Sequence, residues 1–534
     1  MMLDNGYGAQ GSGQLKVRVV APVLLALALF ARTPLFAADA APPHFAVIEY
    51  RVLGNTVLPI RDIERAVYPF LGADKTFEDV QKARDALQLA YRANDFGTVF
   101  VDIPEQDVGD GVVRLRVTEG RLRVTTISGA KYYSERKLLA ELPAAKAGTV
   151  PRVGELQKEL ASVNSQTADR SIVPILKAGP EPGTVDLALK VEDHLPLHGS
   201  AELDNQYTVG TTHLRANVGL DYANLFDALD DISVQYQTSP EKTSQVGVLA
   251  AGYTSGPMAG GVRASLTYIH SSSSVPTVGA LGVLGKGDIF SGRITFPLAF
   301  SAESTQSAFL GADYKHFLES INVDAVTSLV TPISYMNFSV GYSGDWRHET
   351  RQWSFFTSAN FGIKGVVNDV TSFEDKRYLA PPGYFYLRED ASFTQTIVGG
   401  VRLRLRLAGQ FTGDPLVSNE NFAISGFDGV RGYLEAEELG DSALKGTFQI
   451  DSPAVVVRSV GGRVFAFYDA GRTKVVDALP GQADHALLRS FGGGLSLVGG
   501  TWLNSSVTWA YPISNSTATR QGESRVLFTV RGAF

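Results

Sequence analysis

The sequence predicts two small α+β modules followed by a transmembrane antiparallel β-barrel of about 16 strands, and three observations support this prediction. From Leu197 to Phe534 the chain reads as short segments of alternating apolar and polar residues. No stretch in that region is long and apolar enough to span a bilayer as a helix. A chain that crosses lipid without helices must close its strands into a barrel, because every backbone donor and acceptor needs a partner. We therefore expect this chain in a bacterial outer membrane.

The composition agrees with a barrel and excludes several functions. The chain has 534 residues, of which only 19% are charged, and it contains 54 Gly and 20 Tyr. Glycine suits tight turns, and tyrosine suits the boundary between lipid and water. The net charge of -7 argues against nucleic acid as a partner. The chain has no cysteine, which excludes disulfides, zinc-thiolate sites and cysteine nucleophiles.

Residues 1–40 are predicted to be a secretory signal peptide. Lys16 and Arg18 give it a positive flank, and Val19 to Phe30 form an apolar run. Ala38-Asp39-Ala40 matches the small-residue pattern of a cleavage site, so we expect cleavage after it. A retained anchor helix is the alternative, although the apolar run is short for a membrane span.

Residues 44–120 are predicted to form the first module, in the order β-α-α-β-β. Thr76 and Asp79 have the spacing of a capping box at the start of the longer helix. Apolar side chains then recur at helical spacing at Val80, Ala83 and Leu87. The predicted elements are a strand over Ala46–Val52, helices over Arg61–Tyr68 and from Thr76 to Tyr91, and strands over Thr98–Ile103 and Val112–Val117.

Residues 121–195 repeat this order as a second module. Leu156, Leu160 and Val163 share one face of its longer helix. The predicted elements are a strand over Leu122–Ile127, helices over Glu135–Glu141 and Gly154–Asn164, and strands over Ile172–Leu176 and Val185–Val191.

Within the barrel region, residues 197–534, charge alternates with leucine from Val401 to Leu407. The leucines share one face, and Arg402, Arg404 and Arg406 share the other. An arginine that faces lipid at mid-membrane costs about 2–4 kcal/mol, so these three side chains are predicted to line a wet lumen.

The last strand runs from Arg525 to Phe534 and places Val526, Phe528 and Val530 on the lipid face. The longer connections between strands are expected on the outer side of the membrane. They are residues 271–286, 318–332, 364–383 and 412–440.

Two motifs that lie far apart in the sequence are expected to meet inside the barrel. Val430-Arg431-Gly432-Tyr433 belongs to the polar, Gly-rich segment 412–440, and Phe467-Tyr468-Asp469-Ala470-Gly471 ends a strand. Alternation places Phe467 and Asp469 on the inward face. A buried carboxylate needs a partner, and the planar fork of arginine binds it best. We therefore predict that Arg431 folds into the lumen and pairs with Asp469. Gly432 would let the loop approach the wall, against which Tyr433 would pack.

Residues 45–120 resemble a POTRA domain of the haemolysin-activator type, and residues 121–193 resemble a second one more loosely. The matching residues are Leu53-Gly54-Asn55-Thr56-Val57, Pro104-Glu105-Gln106-Asp107-Val108, Asp110-Gly111-Val112-Val113 and Glu119-Gly120. The chain then divides into a signal peptide (1–40), a first POTRA domain (44–120), a second POTRA domain (121–195) and the barrel (197–534).

The two lumen motifs resemble the signatures of two-partner secretion transporters (TpsB, the ShlB/FhaC/HecB haemolysin secretion/activation family), which belong to the superfamily that joins POTRA domains to a barrel. Val430-Arg431-Gly432-Tyr433 matches the loop signature V-R-G-Y. Phe467, Asp469 and Gly471 match the strand signature F-x-D-x-G. The lead-in Leu407-Ala408-Gly409-Gln410 and the later Asn419-Glu420-Asn421-Phe422 also match.

This resemblance implies an outer-membrane transporter that binds an unfolded exoprotein through periplasmic POTRA domains and passes it through the barrel. The implied partners are that exoprotein, the lipid of the outer membrane and the barrel-assembly machinery, for which the terminal Phe534 would be the signal. A sheet edge beside a helix can add an extended chain as a strand, so the first helix and its neighbouring strand are the expected receptor. The modules could instead be spacers or assembly contacts.

One departure from the family concerns the pore plug. Members of the family usually carry a plugging helix before the first POTRA domain, whereas the predicted mature chain starts near Ala41 and its first strand near Phe45. Either the chain lacks a plug, or the long region before the predicted signal reflects unusual processing. Without a plug, the loop carrying Arg431 would be the main obstruction. A high resting conductance in planar bilayers is the expected result.

Three other functions were weighed against secretion. A barrel-assembly insertase shares the fold and the loop motif, and a passive porin with periplasmic adaptor domains would tolerate changes at Arg431. An enzyme embedded in the barrel has no acid–base constellation to support it, so no catalytic residue is predicted. The eight histidines show no metal-ligand spacing, and Gly426-x-x-Gly429-x-x-Gly432 lacks the strand–helix context of a nucleotide loop, so no metal or cofactor is predicted either.

Overall fold

A computed structural model describes residues 43–272, 285–301, 303–318, 320–322 and 328–534. The predicted signal peptide and cleavage site lie outside the described residues, as do parts of the predicted connections 271–286 and 318–332. None of the described helices has the length and apolar character that a membrane crossing requires.

The first compact unit contains residues 43–94 and 99–119 of the described chain. Strand β2 pairs with β5 in parallel and β4 pairs with β5 antiparallel, while β1 and β3 form a separate pair. Its elements are β1 (Phe45–Val47), β2 (Glu49–Leu53), α1 (Ile60–Val67), β3 (Gly72–Lys75), α2 (Phe77–Ala93), β4 (Val99–Asp102) and β5 (Val112–Glu119).

Helix α2 begins where its sequence predicts. Thr76 and Asp79 form a capping box, and the hydrogen bonds from Thr76 lower the pKa of the Asp79 carboxyl. The apolar face of α2 is buried, at Val80, Ala83, Leu87 and Tyr91. Strand β3 was missed, because Gly-Ala-Asp-Lys has no alternation of apolar residues.

The POTRA signature residues have a structural reason in this unit. Gly54 has a φ of +88°, and a Cβ there would lie 2.4 Å from the carbonyl oxygen of Val117, so only glycine fits. The buried carboxylate of Glu119 accepts hydrogen bonds from the backbone N–H groups of Thr56 and Val57 and from the Thr56 hydroxyl. The signature therefore fixes the turn that follows β2.

The second module repeats the plan. Strand β8 lies between β6, which is parallel to it, and β7, which is antiparallel. Leu156, Leu160 and Val163 of the longer helix are buried, as their spacing predicts. The elements are β6 (Arg121–Ser128), α3 (Glu135–Ala140), α4 (Val153–Ser165), β7 (Arg170–Ala178) and β8 (Thr184–Asp193).

The rest of the described chain forms a closed antiparallel barrel, which confirms the predicted fold class. The elements that build its wall are β9 (Leu197–Asp204), β10 (Arg215–Leu225), β11 (Asp230–Thr238), β12 (Gly247–Thr254), β13 (Arg263–Ser271), β14 (Gly287–Phe300), β15 (Ser304–Phe317), β18 (Ile333–Arg347), β19 (Arg351–Phe361), β20 (Phe385–Thr396), β21 (Arg402–Phe411), β24 (Ser442–Asp451), β25 (Val455–Val457), β26 (Val460–Lys474), β27 (His485–Gly499), β28 (Leu503–Pro512) and β29 (Arg525–Ala533). The short β24 and β25 both pair with β26 and count as one wall position, which gives the predicted sixteen.

The connections between wall strands carry the remaining elements: β16 (Ser320–Asn322), β17 (Ser328–Val330), α5 (Val370–Lys376), β22 (Phe422–Ala423) and β23 (Leu439–Gly440). The barrel closes where β29 pairs with β9, from Thr529 opposite Asp204 to Ala533 opposite Ser200. We call the end where Leu197 enters the barrel the near end. The other end, which carries α5 and the segment 412–440, is the far end.

Outward side chains alternate with inward ones along the strands, and the outer face is largely apolar between its two rims, although it includes Glu389 there. Leu387 and Leu405 are exposed on the outer face, whereas Arg388 bonds to Gln410 inside. Glu389 therefore faces outward, and the Thr357 hydroxyl donates to it at 2.8 Å. Along β20 it lies midway between Phe385 and Phe393, which also face outward.

Replacing Glu389 with leucine is expected to raise the free energy of unfolding in lipid vesicles by about 1–2 kcal/mol, because a carboxyl on the lipid face is a cost to the fold. Urea-induced unfolding followed by tryptophan fluorescence measures this. Gln395→Leu, on the same face but at the near end of β20, is the matched control and should change the value little. A lower stability of Glu389→Leu would contradict the outward placement.

The far half of the lumen contains an apolar core that the sequence analysis did not anticipate. Inward side chains of six strands pack there against Phe373 and Ala380, on either side of the end of α5, and against Leu416 and Val417 of the segment 412–440. The strand residues in this core are Val248, Ile269, Ile289, Phe317, Ile333, Tyr335 and Tyr386. The lumen is therefore apolar and filled at this place, whereas the predicted arginine row lies on β21.

Candidate functional site inside the barrel

The segment 412–440, here called the inner loop, brings Arg431 to Asp469 on the wall strand β26. Arg431 Nε lies 2.7 Å from Asp469 Oδ2, and Nη2 lies 2.9 Å from Oδ1. The backbone N–H of Arg431 donates to the same carboxylate at 3.2 Å. Asp469 is fully buried. We call Arg431 and Asp469 the tip pair.

The surroundings of Arg431 extend the tip pair along the wall. Its guanidinium carbon lies 3.4 Å from the centroid of the Phe467 ring, a cation–π contact. Its Nη1 donates to Gln449 at 3.1 Å, and Gln449 donates to Asp451 at 2.7 Å. Because Gln449 carries no charge or motif, sequence reasoning missed its role.

The other motif residues shape the contact between the inner loop and the wall. Gly432 has a φ of +97°, and a Cβ there would lie 3.2 Å from Pro512, so the residue suits both the turn and the approach. Val430 is buried, and the absence of a side chain at Gly471 leaves room for it. The Tyr433 hydroxyl donates to the carbonyl oxygens of Arg489 and Ser514 at 3.0 and 2.8 Å.

The predicted lumen arginines lie beside the tip pair. Arg404 Nε is 2.6 Å from Asp451 Oδ2, and Arg406 Nη2 is 2.8 Å from Asp390 Oδ2. Arg404, Arg406 and Arg431 line a cavity of about 430 Å³. Arg402 continues the row toward the near end and is half-buried. These carboxylate partners keep the row close to charge balance.

A second buried arginine–aspartate pair holds the start and the end of the inner loop. Arg377, at the end of α5, places Nη1 2.6 Å and Nη2 2.7 Å from the two carboxylate oxygens of Asp441. Nη1 also donates to the Leu416 carbonyl at 2.8 Å and Nη2 to the Val476 carbonyl at 2.9 Å. Asp441 accepts in turn from the N–H groups of Leu416 and Val476. We call Arg377 and Asp441 the neck pair.

Glu420 anchors the first part of the inner loop. Its buried carboxylate accepts from Lys315 Nζ at 2.5 Å and from the hydroxyls of Tyr335 and Tyr386 at 2.5 and 2.7 Å. Three donors from three wall strands therefore hold one loop residue. In the sequence, Glu420 stands out only as part of the family match Asn419-Glu420-Asn421-Phe422.

The neck pair left no local signal in the sequence, because Arg377 and Asp441 belong to different connections and neither lies in a recognisable motif. A buried aspartate at the start of a barrel strand is the signal that could have suggested it.

Within the described residues, no group of three or more histidine, aspartate and glutamate side chains could hold a metal ion.

The first unit carries a groove between β2 and α1, with a volume of about 440 Å³. Ile60 and Tyr68 on the helix side are exposed, at 71% and 57%. On the strand side, burial raises the pKa of Tyr50 to about 12, so its hydroxyl keeps its proton, and the hydroxyl oxygen has no hydrogen-bond partner among the described residues. In the described chain β2 pairs with β5 alone, which leaves its other edge open.

Comparison with known protein families agrees with this geometry. Residues 45–120 match the POTRA domain of ShlB type. Residues 183–497 match the family described as haemolysin secretion/activation protein ShlB/FhaC/HecB, which spans more than half of the chain.

Individual relatives match over most of their length. The outer membrane transporter CdiB of Dickeya dadantii is 24% identical over 495 residues, which cover 88% of this chain and 83% of the relative. The heme/hemopexin transporter protein HuxB of Haemophilus influenzae is 20% identical over 466 residues, 84% and 80% of the two chains. The solved structure of CdiB from Escherichia coli has the same fold, with a TM-score of 0.61, 20% identity, and coverage of 94% and 93%.

Proposed function

The chain belongs to the haemolysin secretion/activation protein family ShlB/FhaC/HecB, and from that premise we propose that its inner loop is the moving gate of the translocation pore. The family consists of two-partner secretion transporters, so the chain is an outer-membrane transporter of an exoprotein. Its POTRA domains lie in the periplasm, which makes the near end periplasmic and the far end extracellular.

The tip pair is the observation that carries the gate proposal. The inner loop crosses the lumen and is tied to the wall by a buried, bidentate ion pair. Such pairs add little net stability, because desolvation offsets the Coulomb attraction. The pair instead holds the inner loop in one defined position. A client can pass only when the inner loop leaves that position.

The proposed path begins at the groove between β2 and α1. An unfolded client adds as a strand to the open edge of β2, with apolar side chains against Ile60 and Tyr68. It then passes along Arg402, Arg404 and Arg406 while the inner loop leaves its resting place. We propose no chemical step and no cofactor, and folding of the client outside the cell gives the direction.

Two further partners complete the proposal. Outer-membrane lipid surrounds the apolar outer face of the barrel. The barrel-assembly machinery would recognise the C-terminal strand that ends in Phe534, whose backbone N–H donates to the Gly199 carbonyl at the closing seam.

Replacing Ile60 with aspartate is expected to weaken client binding at least about tenfold, because a charge enters the apolar side of the groove. The measurement is fluorescence anisotropy with a denatured N-terminal fragment of an exoprotein that the transporter secretes, titrated with the full-length transporter in detergent. Ile60 is exposed, so the fold should survive.

Phe100→Asp is the matched control, since Phe100 is 66% exposed on β4 at the opposite edge of the same sheet. Equal binding by the Ile60 variant and the wild type would contradict the groove as receptor. Equal loss in both variants would point to a different surface.

A barrel-assembly insertase remains the alternative to test, and the family match favours secretion over it. Depletion of the protein discriminates between the two functions. Loss of an insertase lowers many outer-membrane barrels, whereas loss of a two-partner transporter removes one exoprotein from the medium.

A further inference from the structure

Cationic side chains project from the outer wall of the barrel at its extracellular rim. Along β26 the outward positions are Tyr468, Ala470, Arg472 and Lys474, and the residues between them, such as Thr473, are buried inside. On the neighbouring β27, Arg489 faces outward and is flanked by the buried Leu488 and Ser490.

The strand register gives the height of these cations. An aromatic row crosses four strands, with Phe448 opposite Tyr468, Tyr468 opposite Phe491, and Phe491 opposite Tyr511. Such rows mark the boundary between hydrocarbon and headgroups.

Arg489 is two residues and Arg472 four residues beyond this row. With a rise of ~3.3 Å per residue and a strand tilt of ~40°, they stand about 5 Å and 10 Å above it, at the level of the lipid headgroups.

The immediate neighbours of these cations suit a lipid. Arg489 lies opposite Ala470, which in turn lies opposite Gly446. Only small residues therefore lie beside the arginine on the outer face. Arg472 lies between Leu444 and Leu487, which are both 49% exposed on the outer face. The patch formed by Arg472, Lys474 and Arg489 is therefore continuous with the outer surface that contacts acyl chains.

Within the described part of the chain, neither Arg472, Lys474 nor Arg489 forms an ion pair at contact distance, although Arg472 is close enough to Asp484 to help His485 lower the pKa of the Asp484 carboxyl. The neighbouring Asp484 is bound to His485 at 2.5 Å. By contrast, the arginines of the tip and neck pairs are matched by carboxylates. These three cations, which lie at successive heights above the aromatic row, thus remain available to an external anion.

We propose that Arg472, Lys474 and Arg489 form a binding site for the phosphate groups of a phosphorylated glycolipid in the outer leaflet. Arginine forks bind phosphate in a bidentate way, and lysine adds a point charge. The acyl chains of the same lipid would lie against Leu444, Leu487 and the aromatic row. A soluble anion would gain the charges but none of this apolar contact.

The test titrates the purified full-length protein in detergent with lipid A carrying two phosphates, and counts bound lipid by native mass spectrometry. The double variant Arg472→Gln/Arg489→Gln is expected to bind about tenfold more weakly or worse, since each cation near a membrane surface contributes on the order of 1 kcal/mol. Dephosphorylated lipid A should bind the wild type as weakly as phosphorylated lipid A binds the variant.

Arg351→Gln is the matched control, because Arg351 also faces outward but at the periplasmic rim, where it donates to Gln395. Heat-modifiable migration on a gel verifies that each variant is folded. Equal loss of binding in the control would overturn the site. So would undiminished binding by the double variant, or full displacement of the lipid by inorganic phosphate.

Discussion

Replacing Arg431 or Asp469 with alanine is expected to abolish release of the exoprotein while the barrel still inserts into the outer membrane. Asp469 is fully buried and accepts three hydrogen bonds from Arg431. Removing one partner leaves the other charge buried and unpaired, which costs about 3–5 kcal/mol. The inner loop relieves this cost by leaving its resting position, and a loop that no longer has one defined position is expected to obstruct the path of the client.

The barrel is expected to survive, because its strands pair with both neighbours independently of the inner loop. The measurement compares exoprotein in the culture medium with the amount of heat-modifiable barrel in the membrane fraction. Arg351→Ala is the control, since Arg351 faces outward at the periplasmic rim, where it donates to Gln395. Wild-type release by both tip variants would remove the basis of the gate proposal.

Exchanging the two charges, Arg431→Asp with Asp469→Arg, should restore release only in part. The native arginine also contacts the Phe467 ring and donates to Gln449. An aspartate at position 431 can make neither contact, and an arginine at 469 would project from a wall position with no room for its length. The exchange therefore restores the charge pair without the surrounding contacts.

The wall strands and helix α2 could be predicted from the sequence because their signals are local. Period-two alternation marks the wall strands, and Thr76 with Asp79 marks the start of α2. The tip pair was also within reach, since alternation turns Asp469 inward and a buried carboxylate needs a cation. Each of these inferences needs only neighbouring residues and one physical rule.

Other features depend on contacts between distant segments and left no such signal. Ile269 and Ile289 point inward. An apolar residue on the inward face has no evident meaning in the sequence, because its packing partners in and after α5 lie far away along the chain. Glu389 breaks the rule that the lipid face is apolar, and its partner Thr357 lies on another strand. The arginines predicted a polar lumen wall, and no local pattern indicated the apolar core in the extracellular half of the lumen.

The apolar core also bears on the expected conductance. The high resting conductance predicted from the sequence assumed that the loop carrying Arg431 was the main obstruction. The segment around α5 fills part of the extracellular half as well, which gives a reason to expect a lower value. Planar-bilayer recordings of the wild type decide between the two, and they supply the reference for the following prediction.

Replacing Arg377 with alanine is expected to raise the conductance relative to wild type at least about tenfold, since an unpaired buried Asp441 costs about 3–5 kcal/mol in the closed state. Arg377 donates to four oxygens of three residues, Leu416, Asp441 and Val476. Without Arg377, the start and the end of the inner loop separate from α5. This separation exposes Asp441 to water.

Arg377→Lys should give an intermediate conductance, because one ammonium group cannot reach all the oxygens that the guanidinium fork serves. Glu374→Ala is the matched control, since Glu374 is exposed on the same helix α5. A wild-type conductance in Arg377→Ala, with the barrel folded, would show that the neck pair does not hold the pore closed.

Combining Arg377→Ala with Arg431→Ala tests whether the two pairs restrain one moving body. If the inner loop moves only when both its tip and its neck are free, either pair alone retains most of the closed state. The double variant should then conduct more than the product of the two single effects. If the effects multiply without excess, the tip and the neck open separately, and the α5 segment gates the extracellular mouth on its own.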